Sequence, residues 1–188
     1  TFLLGDNLER TTQGGGIYTY TSQQGAAAFR DTGSFDAAGS LSQENAEAFC
    51  RDFCKAFSYD TPIFTLDETG SGTATAVRLW SGTPVFNAAV TFTIDQGRVL
   101  SASGALLPET GAETSSGQKP LSAFAALTAF QQMRHASSSV VSSITEVSLC
   151  YELQSTTAAP MALVPSWRIV TDTATFYVNC ISGTVRRA

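Results

Sequence analysis

Basic side chains are scarce in this chain, with 11 Lys and Arg against 16 Asp and Glu, a formal net charge of -5 and a pI near 4.7. Its one adjacent basic pair is Arg186-Arg187. Neutralising nucleic-acid phosphates takes clusters of such residues, so no nucleic-acid partner is expected. Histidine is scarcer still, with His135 alone. Metal sites of the His/Cys type need several ligands together, and neither a metal nor a cofactor is expected here. No apolar run approaches the roughly 18 residues a membrane helix needs. The G-x-x-x-x-G-K-[ST] and G-x-S-x-G patterns are both absent. Gly14-Gly15-Gly16 leads into a strand pattern rather than a helix, so it offers no anion-binding helix terminus.

The composition, 43% hydrophobic and 14% charged, describes a folded chain. A length of 188 residues suffices for a sizeable core, as one domain or two small ones. The cysteines are Cys50, Cys54, Cys150 and Cys180. Their even number invites a disulfide reading, but the spacing resists it. Cys50 and Cys54 sit one turn apart on a predicted helix, where side-chain directions do not suit an unstrained bridge. Cys150 alternates with Glu146, Ser148 and Glu152 and points to a polar face, whereas Cys180 shares phase with Phe176 and Val178. Mostly free, buried thiols are expected, with one bridge as the alternative.

Strand and helix patterns alternate along the chain. Ile17–Thr21 and Ala26–Arg30 read as a hairpin around Ser22-Gln23-Gln24-Gly25. Gly33 to Gly39 then leads into a helix capped by Ser40 or Ser42, whose body from Gln43 to Phe57 turns Ala46, Phe49, Cys50, Phe53 and Phe57 inward. Ile63–Leu66 and Ala74–Trp80 follow as strands. A second helix, Ser122 to about Arg134, points Phe124, Leu127, Phe130 and Met133 to a core, and Val147, Leu149, Tyr151 and Leu153 alternate as a strand. Ala162–Val185 reads as a three-stranded meander, with Leu163, Trp167 and Ile169 on one face of its first run, and the segment from Thr83 to Val99 reads as a fainter copy of it. Pro84-Val85-Phe86 stands for Pro165-Ser166-Trp167, Phe92–Asp95 for Phe176–Asn179, and Gly97-Arg98-Val99 for Gly183-Thr184-Val185.

The expected fold class is therefore α+β, with two related units in tandem, each one helix packed on an antiparallel sheet. Residues 1–16 are read as a juxtamembrane or engineered N-terminal segment, 17–104 as the first unit with its N-terminal hairpin, 105–119 as a linker, and 120–188 as the second unit.

Few motifs point to chemistry. Asp31-Thr32-Gly33-Ser34 matches the aspartic-protease signature, in which paired carboxylates activate water. Here it follows Phe29-Arg30 at a turn instead of a hydrophobic strand, and an Asx-type turn accounts for it. Leu107-Pro108-Glu109-Thr110-Gly111 matches a sortase recognition motif, but a sorting signal belongs at a C-terminus, before a hydrophobic segment and basic residues. His135 has the position of a helix C-terminal cap. Trp80 and Trp167 are read as core residues first and binding anchors second. No catalytic, cofactor or metal residues are assigned, the chain is read as a non-enzyme, and the binding residues stay unassigned.

Pro165-Ser166-Trp167-Arg168-Ile169, Phe176-Tyr177-Val178-Asn179 and Ser182-Gly183-Thr184-Val185 together resemble the ending of PepSY-like domains, and more closely that of the YycH/YycI group of bacterial two-component-system regulatory proteins. Trp80-Ser81-Gly82-Thr83-Pro84-Val85-Phe86-Asn87 is similar to a turn in the first repeat of the YycI type. The resemblance implies an extracytoplasmic domain of repeated α+β units, anchored by an N-terminal membrane helix absent from this chain. It implies no catalytic residues, regulation of a sensor histidine kinase, and a homo-oligomer or a hetero-oligomer with a related regulator. The start at Thr1 without an initiator Met fits a processed terminus or a truncation just after such an anchor. The alternative is a PepSY-type inhibitory or chaperone-like module acting on a secreted peptidase.

Overall fold

A computed structural model of the chain describes residues 1–42, 45–108, 117, 119–137, 140–155 and 161–188. Strands account for 52% of the described residues and helices for 15%. The strands in order are β1 (Glu9–Gly14), β2 (Ile17–Ser22), β3 (Gly25–Arg30), β4 (Ser34–Gly39), β5 (Ile63–Leu66), β6 (Gly72–Trp80), β7 (Thr83–Asp95), β8 (Arg98–Ala105), β9 (Ile144–Gln154), β10 (Ala162–Thr171), β11 (Thr175–Asn179) and β12 (Val185–Arg187). Helix α1 (Ala46–Ala56) falls between β4 and β5, and α2 (Ala123–Ser137) between β8 and β9. All twelve strands join one mixed sheet, in the order β1-β2-β3-β4-β8-β7-β9-β10-β11-β12, with the β5–β6 hairpin on the other edge of β7.

This overturns the expectation of two related helix-on-sheet units. The supposed repeat fails at its centre. Pro84-Val85-Phe86 and Phe92–Asp95 lie in the single strand β7, whereas their supposed counterparts, Pro165-Ser166-Trp167 and Phe176–Asn179, lie in two strands, β10 and β11. A turn divides the second pair. The Thr171 N–H donates to the Ala174 carbonyl at 2.9 Å, and Asp172 accepts from the Ser142 and Ser143 N–H groups. The span from Asn87 to Thr91 makes no such turn, and its β-branched and aromatic continuation keeps the strand running.

Two strands go beyond the sequence reading, β1 and β4. The composition of β4, Ser-Phe-Asp-Ala-Ala-Gly, favours no strand by propensity, and it is held by ladders to β3 and β8 on both edges. Gly25 and Gly39 face each other in the first of these. A Cβ on Gly39 would stand 2.1 Å from the Gln24 carbonyl oxygen, so the two backbones meet only because neither residue has a side chain.

Helix α1 covers the sheet formed by β2–β8. Asn45 caps it, accepting from the Ala48 N–H at 3.3 Å; the expected caps Ser40 and Ser42 do other work, and Gln43 and Glu44 lie outside the described residues. The Ser42 hydroxyl accepts from the Val99 N–H instead, at 2.8 Å. Ala46, Cys50 and Phe53 are buried as expected of the stripe, Phe49 and Phe57 are partly buried, and Cys54 joins the buried set. Below the helix, register aligns Ala74, Phe92, Ala102, Ala37 and Ala27 across five strands, so the floor is mostly methyl groups. That shallow floor leaves room for Phe53, fully buried, whose ring centre lies 4.6 Å from that of Phe57, 5.3 Å from that of Phe92 and 5.5 Å from that of Phe2.

Helix α2 packs on β11 and β12. The Ser122 hydroxyl accepts from the Ala125 N–H, as its expected position at the helix start suggests. Its buried face runs through Ala126 and Phe130, with Leu127, Ala129 and Met133 partly buried. Phe124, expected inside, is 82% exposed, because it lies about 200° around the helix from Ala126. Leu149 on β9, also expected inside, is 44% exposed, for the helix covers the strands on the far side of β10.

Among the described residues the largest fully buried side chain belongs to Arg78 on β6. Its Nη1 donates to the Phe57 and Ser58 carbonyls and its Nη2 to that of Leu107, and the guanidinium lies over the Tyr59 ring, 5.6 Å from its centre. The Tyr59 hydroxyl in turn donates to the Ala105 carbonyl at 2.6 Å. One planar fork thus ties the end of α1 to the segment leaving β8. Arg78→Leu is expected to lower unfolding free energy by about 3 kcal/mol, since it strands several carbonyls at once. Arg78→Lys is expected to recover only part of that, lacking the fork. Urea denaturation midpoints of the three chains measure both effects.

Candidate interaction site

The residues weighed for chemistry do not converge. Asp31 lies exposed at the β3–β4 turn, its N–H donating to the Gly16 carbonyl, and Gly33 follows with φ +85. A backbone bond closes the turn, the Gly33 N–H donating to the Arg30 carbonyl at 2.9 Å, in place of the Asx-type side-chain bond expected of Asp31. His135 is exposed in the last turn of α2. Among the described residues no three His, Cys, Asp or Glu side chains group as metal ligands do. Of the sortase-like stretch, Leu107 is buried, Pro108 is exposed, and residues 109–111 lie outside the described residues. Trp80 packs at the edge of the core around Val85, and Trp167 donates from Nε1 to the Leu121 carbonyl at 2.9 Å, fixing the chain just before α2.

What does converge is the set of segments that carried the family resemblance. Along β7 the register with β6 passes from Val77–Ala89 to Arg78–Val85, leaving Phe86, Asn87 and Ala88 without partners on β6. They turn toward β9. Val85 pairs with Tyr151 in parallel, and the Asn87 side chain completes the contact like a short piece of strand. Its Oδ1 accepts from the Leu153 N–H and its Nδ2 donates to the Leu153 carbonyl, both at 2.7 Å. Beneath, Val85, Ala88 and Leu107 form a small core with Trp80, Tyr151, Leu153, Met161 and Leu163 around it.

Phe86 points across the face of β9–β12 opposite α2. It stacks on Tyr177, ring centres 3.6 Å apart and planes within 14°. The Arg186 guanidinium lies 5.5 Å from the Phe86 ring centre and pairs with Glu152 at 2.7 Å. Arg168, opposite Tyr177 in the β10–β11 register, pairs with Glu146 at 2.8 Å. The Ser148 hydroxyl first, and Arg168 next, hold the Glu146 carboxyl below the usual carboxylate range. Burial pushes the Tyr177 phenol up. Beside the rings, Cys150 and Ser166 are buried on what alternation marked as a polar face. The result is a partly exposed patch of two stacked rings between two arginine–glutamate pairs. Aromatic and arginine side chains dominate protein interfaces, and such a patch can bind, but it holds no nucleophile with a paired base.

All four cysteines are free and buried. Cys180 faces inward as its phase predicts, and Cys150 donates to the Ser166 carbonyl at 3.2 Å. Burial, and then the neighbouring Cys54, pushes the Cys50 thiol up to about 12. Burial and then Asp60 push Cys54 up to about 11, and burial and then Cys180 push Cys150 up to about 12. Such thiols are not nucleophiles near neutral pH.

No family model matches the chain, and no curated protein matches it. Among solved structures it is similar to the C-terminal domain of YpeB from Bacillus megaterium, at 12% identity over 96% of this chain and 88% of that one, with a TM-score of 0.44. It is similar also to an uncharacterized protein from Eubacterium rectale, at 12% identity over 96% of this chain and 71% of that one, with a TM-score of 0.46. Both are distant likenesses in the course of the chain, and no functional argument rests on either. Neither of these two matches names the YycH/YycI type of the resemblance.

Three outcomes are expected from this geometry. Unfolded thiols release their protons near pH 9, whereas in the fold Cys54 keeps its proton to about 11 and Cys50 and Cys150 to about 12. Between those values the folded chain binds more protons than the unfolded one. Stability from this source is therefore complete below pH 9 and is lost as pH rises toward 11 and 12. Thermal midpoints taken from pH 8 to 11 should fall, and the native chain should resist a thiol reagent at pH 8 until denatured. Asn87→Ala should lower stability by about 1–2 kcal/mol, as two hydrogen bonds at a partly solvated strand end are lost; the readout is the denaturant midpoint at constant slope.

Proposed function

We propose that the chain is a non-catalytic extracytoplasmic interaction domain of a membrane-anchored bacterial protein, of the YycH/YycI type, that regulates a two-component sensor histidine kinase. One observation carries the reading. Of the segments that resemble that group, Trp80–Asn87 is distant in sequence from Pro165–Ile169 and Phe176–Asn179, yet Phe86 and Tyr177 stack and present Arg168, with Arg186 beside them, on one surface. Trp167, Asn87 and Asn179 of the same segments support that surface from within the fold. Trp167 holds the entry to α2, Asn87 clasps β9, and the Asn179 side chain accepts from the Ile181 and Ser182 N–H groups at 2.8 and 2.9 Å. A surface of rings and paired charges suits protein contact rather than substrate turnover. No helix among the described residues is long and apolar enough to cross a membrane.

The test is capture of partners by the full-length, membrane-embedded protein after mild crosslinking, compared with a Tyr177→Ala/Arg168→Glu variant of unchanged thermal midpoint. A sensor histidine kinase should be recovered, and its yield should drop at least about tenfold in the variant. Recovery of a secreted peptidase without a kinase would replace this reading by the inhibitory-module alternative, and recovery of neither would end the kinase assignment. Asp31→Asn should leave behaviour in a broad peptidase screen unchanged.

A further inference from the structure

A recess opens on the α1 side of the sheet, far in sequence from the Phe86–Tyr177 patch. Its roof is the N-terminal turn, in which the Leu4 and Gly5 N–H groups both donate to the Thr1 carbonyl. The Ser22 hydroxyl holds this turn to β2 by donating to the Leu4 carbonyl at 2.7 Å. The recess has a volume of about 400 Å³, within the roughly 300–1,000 Å³ usual for small-molecule sites. Phe2, Leu8, Tyr18, Tyr20, Phe29 and Phe57 line it and are not fully buried, and no lining side chain is charged. Phe2 stays 39% exposed although it touches three phenylalanines of α1 and its C-terminal end.

The charge lies at the rim. Arg10 on β1 stands opposite Tyr20, and its guanidinium carbon lies 4.9 Å from the centre of the Tyr18 ring, which lines the recess. No carboxylate forms an ion pair with Arg10 among the described residues. A neutral apolar molecule would use the rings alone. A ligand that combines an apolar body with one carboxylate uses both features, since a guanidinium fork matches a carboxylate in geometry and charge. We propose that this recess binds an amphipathic monocarboxylate, its apolar body among the aromatic rings and its carboxylate at Arg10. The site is independent of the kinase reading.

Decanoate and decanol, competed against a fluorescent apolar probe, separate the two parts of the claim. The intact chain should bind decanoate saturably, one molecule per chain, about two- to fivefold more tightly than decanol, as one exposed ion pair allows. Arg10→Gln should erase that preference and leave decanol unchanged, and Leu8→Trp, which fills the recess, should weaken both at least about tenfold. In the unsubstituted chain, decanoate should shift the ring resonances of Tyr18 and Tyr20 but not those of Tyr151 and Tyr177, a readout that does not depend on the variants folding. Absence of saturable binding, equal affinity for the two probes, or shifts outside the recess would overturn the proposal.

Discussion

A strand has two edges, and β7 serves three neighbours. The three residues Phe86, Asn87 and Ala88, which step out of register with β6, make that possible. Past the bulge β7 pairs with β6 and β8, and before it with β6 and β9. An odd number of inserted residues also changes the phase of alternation. Val85 is buried in the small core beside β9, while Val90, Phe92 and Ile94 are buried under α1. Without the bulge one of those two sets would face solvent. The continuity of the twelve-stranded sheet rests on this kink and on the Asn87 amide that bridges it to β9.

The remaining core is built around differences in side-chain size. Alanine methyls on β3, β4, β6 and β8 lie below helix α1, and the ring of Phe53 fills the space they leave. Arg78 occupies a position that a hydrophobic residue would take in a simpler sheet, and it satisfies carbonyls that leave regular structure at Phe57, Ser58 and Leu107. Its burial is intelligible only together with those carbonyls, because an isolated guanidinium would not be withdrawn from water.

The same economy governs the segments that resemble the regulatory group. Asn87, Trp167 and Asn179 act inside the fold, whereas Phe86, Tyr177 and Arg168 reach its surface, where Arg186 from outside these segments joins them. A motif read along the chain cannot separate these roles, since both kinds of residue occur at neighbouring positions. Their spatial arrangement supports a binding function, proposed above, and leaves Asp31 and His135 apart, each in a solvent-exposed position.

Local alternation was enough to locate β2, β3, β6, β9, β10 and β11, the inward face of α1 and the inward phase of Cys180, because each depends on which side chains a single segment can bury. The shift of apolar phase between Val85 and Val90 was the one local trace of the bulge, and it is legible only once a continuous strand is assumed. Everything that depended on partners came from the tertiary structure: the ladders that hold the alanine-rich β4, the single strand β7 in place of half a meander, the exposure of Phe124 and Leu149, and the burial of Arg78 and Cys150. Periodicity tells which face of a segment avoids water, but hydrogen bonds between residues far apart in sequence choose what covers that face, and no local pattern encodes that choice.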